Sequence, residues 1–280
     1  MNRALTSLAA VALTAALAAC APQADTKPTA SGCGKDSLRL TTPGKLTVGT
    51  DRPAYEPWFS GDDPRNGKGF ESAVAYAVAG KLGFTREQVA WTTVPFNSAI
   101  APGPKKFDVD VNQVSISDQR RQAVDFSSGY YDVRQAVIAL KGSPAAEATT
   151  IGGLAGVRLG AQVGTTSLDV VQNVIKPTTA PRIYQNSDLA KSALRNGQVD
   201  AIVVDLPTAF YISAAEIPEA EIVGQLPGGA APEQFGFVLD KGSVLTPCVS
   251  KAVDALRADG TLAELEHTWL ADVAGAPALR

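Results

Sequence analysis

The sequence predicts an α/β protein built as two units in series, and three observations carry that expectation. Strand and helix patterns alternate along the chain twice over. The run Asp200-Ala201-Ile202-Val203-Val204-Asp205 is continuously apolar between acids, as in a strand buried on both faces of a parallel sheet. About 245 residues follow a Pro-, Ala- and Thr-rich N-terminal stretch, which is above the size that one core serves comfortably.

In the first unit, Leu46-Thr47-Val48-Gly49-Thr50 reads as a strand. Residues 69–82 read as a helix with Phe70, Val74, Ala77, Val78 and Leu82 on one side and Gly83 as its stop. A second strand is expected at 89–94. The segment PFNSAIAPGPKKFD holds three prolines and a glycine, so an irregular loop with at most a short turn is expected there. Phe107, Val109 and Val111 then alternate with Asp108, Asp110 and Asn112, the period of a half-buried strand. This strand runs into Ser115 and Ser117, with Ser117 placed as a helix N-cap and Arg120 in the first turn.

The second unit is expected to start after Gly142-Ser143-Pro144. Residues 157–162 form a strand, Gly164-Thr165-Thr166-Ser167 a turn, and 168–175 a helix ended by Pro177. A strand at 182–184, a helix at 189–194 closed by Gly197 and a strand at 199–204 follow. Residues 234–239 read as a further strand. Thr246-Pro247, a cap followed by proline at the first helical position, opens a helix through Leu256. Thr261 and Glu264 form a capping box ahead of Leu262, Leu265 and Trp269. Residues 135–141 and 234–241 are the expected crossings between the units.

The first twenty residues point to export. One early arginine, an Ala/Leu/Val run and the ending Leu17-Ala18-Ala19-Cys20 resemble a bacterial lipobox, in which cleavage precedes a cysteine that then carries lipid. An ordinary secretory signal is the alternative. The expected organisation is a signal peptide at 1–19, a lipid-anchored linker at 20–35, a first lobe at 36–139 and 240–280, and a second lobe at 140–239. Attachment would be by the lipid alone, with no membrane-spanning segment. Cys33 and Cys248 are an even pair in an exported chain, which predicts a disulfide; two free thiols are the alternative.

The 280 residues carry 25 Lys and Arg against 28 Asp and Glu, a net charge of −3, which becomes −4 once the signal and its Arg3 are removed. The densest basic groups are the pairs Lys105-Lys106 and Arg120-Arg121, so nucleic acid is not an expected partner. There is no Gly-x-Ser-x-Gly element, no phosphate loop and one histidine, His267, on the C-terminal helix pattern. No catalytic set, metal or cofactor is expected.

What remains is a chemistry of capture. A guanidinium at Arg120, near free backbone N–H groups and the Ser115 hydroxyl, can hold a carboxylate through two parallel hydrogen bonds. The Gly164-Thr165-Thr166 turn offers a second set of uncommitted N–H groups. Asp205, at the end of the buried strand, can accept from an ammonium. Together these groups would read both charged ends of an α-amino acid.

These motifs, with VGTD at 48–51, KGFESAVAYAVAGKLGF, VDFSSGYY, GAQVGTTSL, LRNGQVDAIVVDLPTAFY and LRADGTLAELEHTWL, resemble the polar-amino-acid solute-binding proteins of bacterial ABC importers. The resemblance runs through essentially everything after the linker. It implies a two-lobed periplasmic-binding-protein-like fold of type II, each lobe an α/β sandwich, joined by a two-strand hinge. It also implies a free amino acid as ligand, an ABC permease as partner, and a monomer with no enzymatic activity. Arg120, Ser115 and the Thr165-Thr166 turn would take the ligand carboxylate; Asp205 and the Gln113 backbone would take its ammonium. Tyr55 and Phe96 would sandwich its side chain, while Asp51, Trp58 and Gln162 would reach its far end. Gln113, Asp110 and Asn112 depart from the pattern, as polar residues where small or apolar ones are usual. Taken singly, Asp205 could cap the following turn and Tyr55 or Phe96 could belong to a core. A dehydratase acting on a cyclic carboxylate is the alternative on the same fold, with Glu56, Asp51 and His267 as the only candidate acids.

Overall fold

The computed structural model describes residues 32–228, 232–270 and 276–280. The signal at 1–19, Cys20 and most of the linker lie outside the described residues. Among the described residues no helix is long and apolar enough to cross a membrane.

Two five-stranded sheets form two lobes. The first contains β1 (Leu46–Thr50), β2 (Val89–Thr93), β3 (Val109–Asp110), β4 (Val124–Val133) and, returning late in the chain, β10 (Glu233–Asp240), in the order β2-β1-β3-β10-β4. The second contains β5 (Gln135–Leu140), β6 (Leu159–Gln162), β7 (Arg182–Tyr184), β8 (Ala201–Asp205) and β9 (Ala220–Gln225), in the order β7-β6-β8-β5-β9. In each sheet the first three strands are parallel, and the strand shared through the crossing runs antiparallel to its neighbours. The expected parallel strand at Asp200–Asp205 is thus parallel to β6 on one side and antiparallel to β5 on the other.

The helices are α1 (Phe70–Lys81), α2 (Phe96–Ile100), α3 (Asp118–Arg121), α4 (Thr166–Val170), α5 (Ser187–Arg195), α6 (Leu206–Tyr211), α7 (Thr246–Ala258) and α8 (Thr261–Leu270). Phe70, Val74 and Val78 of α1 join Val249, Val253 and Leu256 of α7 on one face of the first sheet, around a cluster of Trp58, Tyr131, Phe235 and Phe237. The other face is covered by a smaller group, Phe96, Phe107, Val114, Phe126 and Val238. The second sheet is covered on both faces. Val137 and Ala139 of β5 pack toward Leu154, Leu168 and Val171, while Ala136 and Ile138 pack toward Leu194, Leu206 and Ile212. Burying alternate residues on two apolar layers is what makes β5 and β8 read as unbroken hydrophobic runs.

Three expected boundaries move. Strand β5 belongs to the second sheet and β10 to the first, so neither is a crossing. The chain changes sheet between β4 and β5, at Arg134, and again between β9 and β10, instead of at 139 and 239. The chain end also returns to the second lobe: Ala278 bridges Gln225, the Leu279 N–H donates to the Gln225 carbonyl at 2.9 Å, and Leu279 lies in that lobe's core. Cys33 is joined to Cys248 of α7, which ties the start of the folded chain to the first lobe. A cross-link spanning 215 residues of sequence stabilises by about 2–4 kcal/mol, chiefly by restricting the unfolded chain.

The expected alternation at residues 107–112 also fails. All six are buried, because β3 lies in the middle of its sheet between β1 and β10. Asp110 is 0% exposed and faces Gly49, where a Cβ would come within 2.6 Å of its Oδ2; only glycine fits. Neither Asp110 oxygen has a hydrogen-bond partner. Burial, with Glu71 next in effect, pushes its carboxyl well above the usual range, so Asp110 is held protonated.

Candidate functional site

The cleft between the lobes is lined by residues from both lobes. On the first-lobe side, the Ser117 hydroxyl accepts from the Arg120 N–H at 3.2 Å and starts the single turn of α3. That turn points the Arg120 side chain across the cleft. Its Nη1 donates to the Ser115 carbonyl at 2.6 Å and its Nη2 to the Gly164 carbonyl of the second lobe at 2.9 Å. Its guanidinium carbon stands 5.6 Å from the centre of the Phe96 ring. Gly164 has φ +75°, and a Cβ there would lie 2.5 Å from Asn97 Oδ1, so this close approach of the lobes requires glycine.

On the second-lobe side, the Thr165 hydroxyl accepts from the Leu168 N–H at 3.2 Å and donates to the Gln162 carbonyl at 2.7 Å, which caps α4. Thr166 is thereby turned into the cleft. Its hydroxyl donates at 2.6 Å to Glu233 Oε1, and the Ser115 hydroxyl donates to the same oxygen at 2.5 Å. Gln135, the first residue past the Arg134 crossing, donates at 2.8 Å to Asp205 Oδ1 and lies 3.3 Å from Glu233. Its own oxygen accepts from Ser167 at 2.6 Å. Two carboxylates thus share one amide.

Asp205 makes no capping hydrogen bond to α6, so the reading of it as a turn cap fails. Its carboxyl is pushed up to about 8, by burial first and then by Glu233, with Gln135 opposing. Arg120 and Asp205 therefore face one cleft from different lobes, a cation on one side and a carboxyl group on the other.

A second charged group lines the same cleft. Lys191 of α5 donates to both oxygens of Glu216, at 2.8 and 2.9 Å, and forms an ion pair with Asp188 at 2.9 Å. Its ammonium lies 5.0 Å from the centre of the Tyr55 ring. Burial, with Asp188 next, pushes the Tyr55 phenol up.

Other expected site residues are placed with different duties. Asp51 lines the cleft, yet its oxygens accept from the Arg52 N–H at 2.7 Å and the Phe96 N–H at 3.0 Å, so it holds the start of α2. Gln162 Oε1 accepts from Ser187 at 2.9 Å. Trp58 does not line the cleft: it is fully buried among Phe70, Tyr131 and Phe235, and its Nε1 donates to Thr208 of the second lobe at 2.9 Å. Ser115 is 1% exposed and reaches the cleft through Thr166 and Glu233. Gln113 adopts φ +49°; its backbone N–H donates to Glu71 at 2.7 Å and its side-chain amide donates to the same carboxylate. Glu71 is also bonded by the Tyr130 hydroxyl, and burial pushes it up to about 7 against those bonds. The unusual Gln113 is therefore explained by a buried acid behind it.

Glu233, Gln135, Glu216 and Lys191 were not among the expected residues. Lys191 carried a usable signal, since it stands beside Ala190 and three positions before Leu194, on the apolar stripe of α5. Glu233 carried none, because it starts a strand whose position in the sheet is a tertiary fact.

A family profile described as bacterial extracellular solute-binding proteins, family 3, matches residues 46–272. A probable histidine-binding protein of Campylobacter jejuni is 31% identical over 219 residues, covering 77% of this chain and 80% of that one. The L-cystine-binding protein TcyJ of Escherichia coli is 30% identical over 236 residues, covering 82% and 84%. An ancestral arginine-binding protein bound to glutamine superposes with a TM-score of 0.70 at 30% identity, over 82% of this chain and all of that one.

Proposed function

The chain belongs to the bacterial extracellular solute-binding proteins of family 3, and from that premise we propose that it captures one free amino acid and passes it to an ABC permease. The ligand closes between the lobes. The observation that carries this reading is the opposition of Arg120 and Asp205 across one cleft, which matches the two charged ends of an α-amino acid. Arg120 and the N–H groups at Thr165 and Thr166 take the carboxylate; Asp205, half-buried and short of charge partners, takes the ammonium. The ligand side chain then runs along Tyr55, Asn112 and Gln162. A polar, glutamine-like side chain suits those amide neighbours. The names of the similar proteins, which include binders of histidine and cystine, support an amino acid as the cargo.

The protein acts as a monomer, exported and anchored by lipid on Cys20. The dehydratase alternative gains nothing from the geometry. Glu56 Oε1 is engaged with the Gly61 N–H at 3.0 Å, Asp51 holds backbone, and His267 does not line the cleft.

A thermal-shift screen of the twenty amino acids and cystine tests the cargo, since tight binding raises the melting temperature by mass action. At least one polar amino acid shifts the transition by several degrees; no shift with any of them overturns the reading. Cys20→Ser tests the anchor, and its expected outcome is release of the protein from the membrane fraction.

A further inference from the structure

We propose that Lys191 makes the cleft reject cationic amino acids, because its ammonium already holds the place over the Tyr55 ring. The inference rests on the amino-acid reading above and names the side-chain class that the cleft takes: uncharged.

The argument starts from burial. Lys191 is 8% exposed on the stripe of α5 that also buries Ala190, Ala193 and Leu194. An ammonium in that position persists only when it is paired. It donates to both oxygens of Glu216, at 2.8 and 2.9 Å, and forms an ion pair with one oxygen of Asp188 at 2.9 Å. The face of Tyr55 lies 5.0 Å away, within the range where a ring attracts a cation. Asp188 comes from α5 itself, Glu216 from the segment after α6, and Tyr55 from the loop after β1, so three separate elements converge on one ammonium.

This group shares no hydrogen bond with the Arg120, Asp205 and Glu233 group. A ligand held there by its α-carboxylate and α-ammonium has the rest of the lining for its side chain, and that lining contains Tyr55, Lys191 and Glu216. A ligand guanidinium or ammonium stacking on Tyr55 would compete with the Lys191 ammonium for one ring and for anions that are already engaged. Like charges about 5 Å apart in a partly buried site disfavour such a ligand by roughly a hundredfold. An uncharged amide meets no such opposition, whereas a ligand carboxylate would meet Glu216, Glu56 and Asp51 in the same lining. Without Lys191, Asp188 and Glu216 would leave two negative charges beside an aromatic face, which is a site for a cation.

Calorimetric titration of the full mature chain with glutamine, glutamate, arginine and lysine tests this, for wild type, Lys191→Ala and Lys191→Met. The methionine variant keeps the aliphatic stem, so loss of packing in α5 is separated from loss of charge. Wild type is expected to prefer glutamine over arginine and lysine by roughly a hundredfold. In both variants the ratio of affinities shifts toward arginine by tenfold or more. Wild type that binds arginine or lysine as tightly as glutamine, or variants that leave the ratio unchanged, overturn the role of Lys191 while leaving the amino-acid site standing. Failure of all four ligands, and of the rest of the amino acids, overturns the site and Lys191 with it.

Discussion

Glu233, on the first lobe's returning strand, accepts a 2.6 Å hydrogen bond from the Thr166 hydroxyl of the second lobe. The same oxygen accepts from Ser115 at 2.5 Å. A carboxylate of the chain therefore stands where hydroxyls from both lobes converge, and its hydrogen bonds tie one lobe to the other. Arg120 adds a second tie through the Gly164 carbonyl, and Trp58 a third through Thr208.

Removal of the Glu233 carboxylate weakens this tie between the lobes. Hydrogen bonds to a charged group contribute about 1.5–3 kcal/mol each, so Glu233→Ala is expected to raise the open fraction about tenfold or more. Small-angle scattering of the ligand-free variant then gives a larger radius of gyration than wild type, whereas the ligand-bound forms coincide. Identical ligand-free profiles would remove Glu233 from the closing contacts.

Closure also depends on pH. In the closed form Asp205 titrates at about 8, while an open, hydrated Asp205 would titrate near the ordinary value of about 4. The closed form thus binds a proton that the open form releases, so its advantage is complete below pH about 4 and is lost as pH rises toward 8. The ligand-free radius of gyration is expected to grow between pH 5 and 8, and Asp205→Asn to flatten that trend. A wild-type profile that does not change with pH would contradict it.

Arg120→Ala is expected to reduce amino-acid affinity by about a hundredfold or more, as the loss of a two-pronged, charge-assisted contact implies. Arg120→Lys restores the charge without the fork and recovers only a part of it. Both variants keep a cooperative melting transition, because Arg120 contacts carbonyls and one ring face and does not fill the core. Calorimetry that shows wild-type affinity for Arg120→Ala would remove the clamp.

Asp110 predicts an effect on stability alone. A buried carboxyl without partners costs about 1–3 kcal/mol, so Asp110→Val is expected to stabilise the protein by that order. Because the folded state raises the Asp110 and Glu71 values above those of the unfolded chain, it binds more protons, and stability falls as pH rises from about 4 through the folded-state values. Urea denaturation at pH 5 and pH 8 checks both points: the variant gains more at pH 8. A variant no more stable than wild type at either pH would mean that another group satisfies Asp110.

Much of the fold was legible from local pattern. The α1 stripe, the Ser117 cap, the Thr165-Thr166 turn and the buried 201–205 strand each rest on a few neighbouring residues. Strands β4 and β9 were not read, because polar residues and glycines break their patterns: Ser127, Ser128 and Gly129 in β4, and Glu221, Gly224 and Gln225 in β9. The crossings were displaced by several residues, since nothing in 135–140 or 233–240 distinguishes a strand that joins the second sheet from one that returns to the first.

By itself the sequence determined the two α/β units, the cleft-facing cation at Arg120 and the acid at Asp205, because each sits at the end of a locally encoded strand or in a capped turn. Only the tertiary structure decided what those groups meet. Glu233 comes within reach of Thr166, 67 residues away, and Lys191 within reach of Tyr55, through sheet order and lobe closure. Asp110 is buried because β10 returns to cover β3. Charge, burial and pairing at these positions are properties of the space between elements, and local propensity carries no term for that space.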